Sequence, residues 1–269
     1  MSFYTSLNGL KNAQTSLNVI SNNIANGETT GFKKSRVEFS DIVAGSAYSN
    51  PKLMQGIGAT VEAIQQNFSL GPIEQTGSAL DIAINGDGFF TTANAVTGQT
   101  YYTRNGSFTL DGAGFIQDSS DNRLQIFASN GTGGYATTAS SAQIPATNTA
   151  GADFAGVTVA NNGDVTASYA DGTNTVIGKV ALASFVAPSG LKQTGSSNWV
   201  ATALSGAATL GQPGNGQYGE LLSGALERSN VDIAEELVGL ITAQRDFQAN
   251  AKAIDTASQL SQTVINLRT

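Results

Sequence analysis

The chain has 269 residues, a net charge of −7 at pH 7 and a pI near 4.5, and it contains neither cysteine nor histidine. Its length allows one large domain or two smaller ones. The missing cysteine excludes disulfides and most structural zinc sites, and the acidic balance disfavours nucleic acid and anionic lipid as partners. Without histidine the commonest general base is absent, so catalysis is disfavoured, although carboxylate, Lys, Ser or Tyr chemistry stays open.

Charged residues are scarce, at 12% of the chain, which is half of the usual ~25%. Gly, Ser, Thr, Asn and Gln take their place. Because amides and hydroxyls cost less to desolvate than charges, such a surface suits a chain that packs against copies of itself. It equally suits a secreted β-rich protein with a polar surface, and composition does not separate the two.

Residues 2 to about 26 are predicted to form a helix whose apolar positions recur at spacings of four and three, as in a coiled-coil seam. Gly9 lowers the intrinsic helicity by about 1 kcal/mol relative to Ala. The first residues lack the basic start and apolar block of a Sec signal peptide, so export, if it occurs, is expected by another route. The seam residues are Phe3, Leu7, Leu10, Leu17 and Ile24.

The middle of the chain is rich in Gly, Thr and Asn, and its short apolar runs predict a mainly antiparallel β domain over 76–229 that folds independently. Residues 129–156 are small, polar and without periodicity, which predicts an irregular excursion. Strand–turn–strand units are predicted over 79–90, 104–108, 110–115, 157–165 and 169–185.

A longer helix is predicted from about residue 230 to 268. Asn230 is its expected N-cap, and Asp232, Glu235 and Glu236 lie in the first turns, where negative charge is favourable. The seam residues of this second helix are Ile233, Leu237, Leu240, Phe247, Ile254, Leu260 and Val264.

The N-terminal helix and the last part of the C-terminal helix are almost free of charge, with only Lys11 charged up to Asn26 and only Arg268 charged from Thr256 onward. Solvated helices carry charges opposite the core, so these helices are predicted to be enclosed by other subunits. A disordered tail would not keep a regular seam, and a membrane-surface helix would carry Lys and Arg. No apolar window is long enough to predict a transmembrane helix, so no membrane insertion is expected.

The sequence offers no catalytic constellation. Asn85–Gly88 has oxygen ligands but lacks the spacing and closing Glu of an EF-hand. Asp81, Asp87, Asp111 and Asp118 could pair for glycoside hydrolysis, yet most occupy turn positions that favour Asp. The prediction is a non-enzymatic protein with no catalytic, cofactor-binding or metal-binding residues and no cofactor.

Three parts of the chain carry recognisable motifs. The N-terminal motif consists of Ser21, Asn22, Asn23, Ile24, Ala25, Asn26, Gly31, Phe32 and Lys33. Two segments in the middle, 80–90 and 102–108, and one near the C-terminus, 224–252, follow it. The N-terminal motif resembles that of the bacterial flagellar rod and hook family, the middle segments resemble its β domain, and residues 224–252 resemble its C-terminal segment. The order of these matches makes the resemblance specific.

Within the family, residues 177–185, 187–191 and 264–268 are more similar to hook than to rod members. The length, by contrast, is typical of the distal rod protein, since hook members usually carry an additional outer domain. The stretch between Phe39 and Gly56 is too short for the long insertion of rod members. The resemblance favours a short hook protein, with the distal rod protein as the alternative. A secreted β-rich adhesin-like module is a more distant alternative to these flagellar proteins, and a carbohydrate-active enzyme is the most distant alternative.

The resemblance implies an α+β fold in which the N- and C-terminal helices form a coiled-coil-like pair, with a mainly antiparallel β domain between them. The helical domain would span 1–27 and 230–269, the extended connector to neighbouring subunits 28–75, and the outer β domain 76–229. The implied function is polymerisation into the hook, a hollow flexible tube that transmits torque.

The implied partners are other copies of the chain, the distal rod and hook–filament junction proteins, and the hook cap during assembly. The implied location is the extracellular flagellar hook or basal body, reached by type III export without a cleaved Sec signal.

Overall fold

The computed structural model describes residues 2–44, 55–131 and 134–266. These residues fold as two compact units. The helical unit contains the chain up to Gly27, Lys34–Asn67 and the chain from Val231, and the β unit contains Glu28–Lys33 and Phe68–Asn230. The two terminal helices and the antiparallel sheets between them confirm the predicted α+β fold.

The helical unit consists of helix α1 (Ser2–Ala25), helix α2 (Ile233–Asn266), and an antiparallel hairpin of β1 (Ser35–Ala44) and β2 (Gln55–Gln66). Helix α1 packs against both α2 and the hairpin. Both helices lie where the apolar spacing predicts them. Residues 28–75, predicted as an extended connector, therefore include a long hairpin that belongs to the helical unit.

The N-cap of α2 is Asp232, and the prediction of Asn230 is wrong. The Oδ1 atom of Asp232 accepts hydrogen bonds from the backbone N–H groups of Ala234 at 2.9 Å and Glu235 at 3.3 Å. The helix begins at Ile233, so the capping position is the residue directly before it. The amide of Asn230 instead donates to the carbonyl oxygen of Ser69 at 3.2 Å.

The β unit is built from short antiparallel strands. Its strands are β3 (Ile73–Gln75), β4 (Ile82–Asn85), β5 (Phe89–Asn94), β6 (Thr100–Thr103), β7 (Thr109–Leu110), β8 (Ile116–Gln117), β9 (Asn122–Ser129), β10 (Tyr135–Ser141), β11 (Phe154–Val159), β12 (Asp164–Tyr169), β13 (Asn174–Val180), β14 (Leu182–Ser184), β15 (Lys192–Gly195), β16 (Asn198–Val200), β17 (Thr209–Gly211), β18 (Glu220–Ser223) and β19 (Ala225–Glu227).

The main sheet has the order β11-β12-β13-β9-β5-β6-β16-β15, with β7, β8, β10, β14 and β17 attached to it. Two smaller pairs, β18-β4 and β19-β3, bring the strands near the C-terminal end of the unit beside its first strands. The hairpins predicted over 110–115, 157–165 and 169–185 are confirmed as β7-β8, β11-β12 and β12-β13.

Two other predicted hairpins are wrong. Strand β4 pairs with β18, whereas β5 pairs with β6, β9 and β14, so residues 79–90 connect two different sheets. Gly86 and Gly88 have φ angles of 127° and 128°, which redirect the chain between these sheets. Residues 104–108 likewise follow β6 without pairing back to it, since β6 pairs with β5 and β16.

The prediction of an irregular excursion over 129–156 is also wrong for residues 135–141. Strand β10 lies there and pairs with β9, and the following Ala142 and Ile144 are buried in the main core. Backbone hydrogen bonds to β9 form whatever the side chains are. Most side chains of β10 remain partly or fully exposed, which is why the segment lacks an apolar pattern.

The β unit has two hydrophobic clusters. The larger is mainly aliphatic and includes the fully buried Ile84, Phe90 and Leu124. The smaller, here called the aromatic cluster, has edge-to-face contacts among its rings. It comprises Phe89, Tyr102, Phe185, Leu191 and Trp199, with Phe68 packed against it.

A fragment of residues 68–230 is expected to melt about 6–12 °C above a fragment of residues 76–229. The shorter fragment loses the Phe68 contacts with the aromatic cluster, the β3 partner of β19, and the Gly71 N–H bonded to Glu227. These losses together amount to about 3 kcal/mol. Circular dichroism melts of both fragments check this, and equal melting temperatures would place the unit boundary at residue 76.

Candidate functional site

Helices α1 and α2 run antiparallel, and glycines lie along their contact. A Cβ atom added to Gly9 would lie 2.9 Å from the Cγ atom of Asn250, and one added to Gly239 would lie 3.5 Å from the Cδ1 atom of Ile20. A side chain at position 9 would therefore displace the Asn250 side chain, whereas a Cβ atom at position 239 would make an ordinary van der Waals contact. The facing pairs are Gly9 with Asn250, Ile20 with Gly239, and Gly27 with Ile233.

One side of α2 is covered within the unit. Ala243 is buried, and Leu240, Phe247, Asn250 and Ile254 are partly buried. Their spacings of three and four residues place them on one face of the helix. This face is the one that packs against α1.

A different side of α2 is apolar and exposed. Leu237, Val238 and Ile241 are 46%, 66% and 51% exposed. We call these three residues the α2 strip. Arg245 and Lys252 continue the same side of the helix at spacings of four and seven residues, and both are exposed. A contiguous exposed apolar surface on a helix marks a surface for a partner.

The residues of the predicted seams divide between covered and exposed positions. Their role in assembly stays a prediction, and the side chain of Val264 lies outside the described part. The partly buried residues are Leu7, Leu10, Leu17, Ile24, Leu240, Phe247 and Ile254. The exposed residues are Phe3, Ile233, Leu237 and Leu260.

The sequence pattern missed the small and polar residues in the contact and the exposed Val238 and Ile241. Ala13, Asn23 and Ala243 are buried, although a search for large apolar residues ignores them. For the two alanines, the available signal was a second small residue four positions earlier in the same helix, Gly9 before Ala13 and Gly239 before Ala243.

Asn23 of the N-terminal motif connects three elements of the helical unit and is 1% exposed. Its Nδ2 atom donates to the Ser35 carbonyl oxygen at 2.9 Å and to Oε2 of Glu236 at 3.1 Å, and its Oδ1 atom accepts from the Ser35 N–H at 2.9 Å. Asn23 thus fixes α1 to the first residue of β1 and to α2. Of the other motif residues, Ser21, Asn22 and Ala25 are exposed, and Ile24 and Asn26 are partly buried.

The second half of the motif lies in the β unit around a buried ion pair. The Nζ atom of Lys33 lies 2.5 Å from Oε1 of Glu227, and both side chains are 0% exposed. The Nη1 atom of Arg104 lies 3.4 Å from Oε2 of Glu227 and donates to the Gly86 carbonyl oxygen at 3.0 Å. We call Lys33, Arg104 and Glu227 the ion cluster.

Backbone groups complete the coordination of the ion cluster. The Gly71 N–H donates to Oε1 of Glu227 at 2.9 Å, and Lys33 also donates to the Ser69 carbonyl oxygen at 2.7 Å. Burial lowers the pKa of Lys33, and the nearby Glu227 carboxylate opposes this shift. Burial also lowers the pKa of Arg104 from its ordinary value, again against the effect of Glu227.

Gly31 and Phe32 hold the chain in place beside the ion cluster. Gly31 has φ of 67°, and its N–H donates to the Glu227 carbonyl oxygen at 2.8 Å. A Cβ atom at this position would lie 2.5 Å from the backbone nitrogen of Asn105, so no other residue fits without a shift. Phe32 is 5% exposed. The Gly-Phe-Lys block is thus a structural element of the β unit.

The partners of Lys33, Glu227 and Arg104, could not be predicted from the sequence. The available signal was weak, because only the general rule that a buried lysine needs a counter-charge points to an acidic residue. Nothing in the sequence selects Glu227 among the acidic residues.

Three family models match the chain in the order expected for one protein family. "Flagella basal body rod protein" matches residues 3–33, "Flagellar hook protein FlgE/F/G D1 domain" residues 83–167, and "Flagellar basal body rod FlgEFG protein C-terminal" residues 222–267. The first match contains the N-terminal motif, and the last contains Glu227 and all of α2.

Curated relatives extend over the full chain. The flagellar basal-body rod protein FlgG of Bacillus subtilis is 36% identical over 279 positions, which cover 99% of this chain and 98% of that protein. FlgG of Agrobacterium fabrum is 33% identical over 95% of each chain. The flagellar hook protein FlgE of Salmonella typhimurium is 29% identical over an alignment of 411 positions that covers all of both chains.

The chain belongs to the flagellar rod and hook protein family. Members of this family are structural proteins of the flagellum and not enzymes. No helix in the described ranges has the length and hydropathy needed to span a membrane.

Replacing Glu227 by Gln is expected to lower the free energy of unfolding by about 3–5 kcal/mol, because two buried cations lose their counter-charge. Glu235→Gln is the matched control, since Glu235 pairs with the neighbouring Lys34 at 3.2 Å but is 68% exposed. The control should cost less than about 1 kcal/mol. Urea unfolding of the full chain measures both, and equal losses would contradict a stabilising role of the ion cluster.

Proposed function

We propose that the chain is a structural subunit that polymerises with copies of itself into the flagellar hook. The observation that carries this proposal is the α2 strip, which is apolar and exposed on a helix whose opposite side already packs against α1. A second copy that covers Leu237, Val238 and Ile241 would gain about 1 kcal/mol or more for each side chain. The gain recurs at every subunit of a polymer.

The division of the chain into a helical unit and a β unit is compatible with a tube of two layers. In this proposal the terminal helices line the channel, the segment 28–75 connects neighbouring subunits, and the β unit forms the outer layer. The predicted seam residues on α1 and α2 take part in contacts within and between subunits. A contact between two different surfaces of the same subunit does not close on itself, so it produces a filament.

The further partners are proposed from the same role. In a hook, the first and last subunits contact the distal rod and the hook–filament junction proteins, and a cap contacts the growing end. The proposed location is extracellular, in the hook or basal body. The proposed route is type III export without a cleaved signal.

The distal rod is the second candidate for the part of the flagellar axial structure that this chain forms. The relative FlgG from Bacillus subtilis aligns over 279 positions with few gaps, whereas the alignment with the Salmonella hook protein needs 411 positions for the 269 residues of this chain. The length therefore favours the rod. The hook-like segments 177–185, 187–191 and 264–268 favour the hook.

Electron micrographs of basal bodies from cells that lack this gene decide between the two segments. A complete rod without a hook supports the hook proposal. A rod that stops short of its distal part supports the rod, and intact rods and hooks would contradict both.

Val238→Asp with Ile241→Asp is expected to abolish polymerisation of the purified protein. Both side chains are more than half exposed, so the melting temperature of the monomer should change by only a few degrees. Sedimentation and electron microscopy measure the tubes. The matched control is Val96→Asp with Val186→Asp, which changes two valines that are 93% and 94% exposed in the β unit.

The control variant should still polymerise. Leu240→Asp with Phe247→Asp affects the covered face, so it should also lower the melting temperature of the monomer. Tubes formed by the Val238 and Ile241 variant with unchanged yield would contradict the α2 strip as an assembly surface.

A further inference from the structure

A pocket of about 210 Å³ opens beside the ion cluster, entirely within the β unit. Its apolar lining includes Phe68, Phe89 and Phe185 of the aromatic cluster. Arg104 lines it as well, and the exposed Asp87 and Gln217 also contribute. At ~30 Å³ per water molecule the pocket holds about seven waters, so it accommodates one side chain or a small organic molecule.

The Nε atom of Arg104 is buried and has no hydrogen-bond partner in the part of the chain that the structure describes. Arg104 itself is 3% exposed, and its guanidinium carbon lies 5.1 Å from the centroid of the Phe89 ring. A buried donor without an acceptor costs about 1–3 kcal/mol. Because Arg104 lines the pocket, a ligand oxygen that reaches its guanidinium group would recover this cost.

The charges of the ion cluster do not balance. Lys33 and Arg104 are both buried cations, and Glu227 is the carboxylate that both of them contact. Asp87 also acts on Arg104 electrostatically, but its side chain is exposed and therefore solvated. A buried excess of positive charge favours a bound anion that is shielded from water.

We propose that this pocket binds a carboxylate through Arg104, with the apolar part of the ligand against Phe68, Phe89 and Phe185. The carboxylate belongs either to an acidic side chain of a second copy of the chain or to a free organic acid. If the carboxylate comes from a second copy of the chain, the proposal rests on the proposed function. Binding to the monomer is independent of polymerisation.

Benzoate and benzamide are matched probes, because they share a ring and differ in charge. Trp199 is the single tryptophan, and its ring centroid lies 5.5 Å from that of Phe68 and 5.9 Å from that of Phe89. The indole N–H cross-peak of the full-length monomer in a two-dimensional NMR spectrum therefore reports on the pocket. Benzoate should shift this peak in a saturable way, and benzamide should bind at least tenfold more weakly.

The Asp87→Asn substitution tests the electrostatic contribution to carboxylate binding without changing a buried residue. Removing a negative charge at the pocket should tighten benzoate binding several-fold. Asp41→Asn, which makes the same charge change at an exposed position in the helical unit, should leave binding unchanged. Arg104→Lys should weaken binding, and its melting temperature shows whether the fold is kept.

Sedimented tubes distinguish the two sources of the carboxylate. If tubes exclude benzoate while monomers bind it, an acidic side chain of a neighbouring copy fills the pocket; if tubes bind it equally, the ligand is a free acid. The proposal is overturned if benzoate causes no shift, if benzamide binds equally well, or if Asp87→Asn and Asp41→Asn behave alike. Failure of the protein to form tubes would count against the proposed function and leave the monomer result intact.

Discussion

The carboxylate of Glu227 is the point on which the β unit depends. It binds Lys33, Arg104 and the N–H of Gly71, which come from three separate parts of the chain. A buried carboxylate requires such partners, since an unpaired one would cost several kcal/mol. The backbone of Glu227 also accepts the N–H of Gly31. The two chain segments nearest to the terminal helices are thereby fixed side by side in one unit.

This constraint fixes, within the β unit, the two chain segments that are adjacent in sequence to the terminal helices. Helix α1 ends at Ala25, a few residues before Lys33, and α2 begins at Ile233, a few residues after Glu227. Within the helical unit, Asn23 adds a second buried connection between α1, β1 and α2. In each unit, buried polar contacts, those of Glu227 in the β unit and of Asn23 in the helical unit, therefore connect separate parts of the chain. The exposed α2 strip remains available for contacts between subunits.

The helices, the antiparallel fold and several hairpins could be predicted because each depends on local spacing or turn chemistry. The hairpin expected over 79–90 could not, since the partner of β4 is β18, far along the chain. Strand β10 was missed because none of its side chains is fully buried and its order comes from backbone pairing with β9. The motif residues were recognised from their resemblance to the family. The partners of Lys33 required three-dimensional information, because no local pattern connects residue 33 with residue 227.

In the proposed polymer, the surface of α2 that is exposed in the single subunit becomes covered by a neighbouring copy. The chain has no cysteine, so a single Val238→Cys substitution provides a unique thiol on the α2 strip. We predict that a maleimide labels this thiol at least tenfold more slowly in tubes than in monomers, while Val96→Cys in the β unit keeps its rate. Equal labelling rates for the Val238→Cys variant in monomers and tubes would contradict the account.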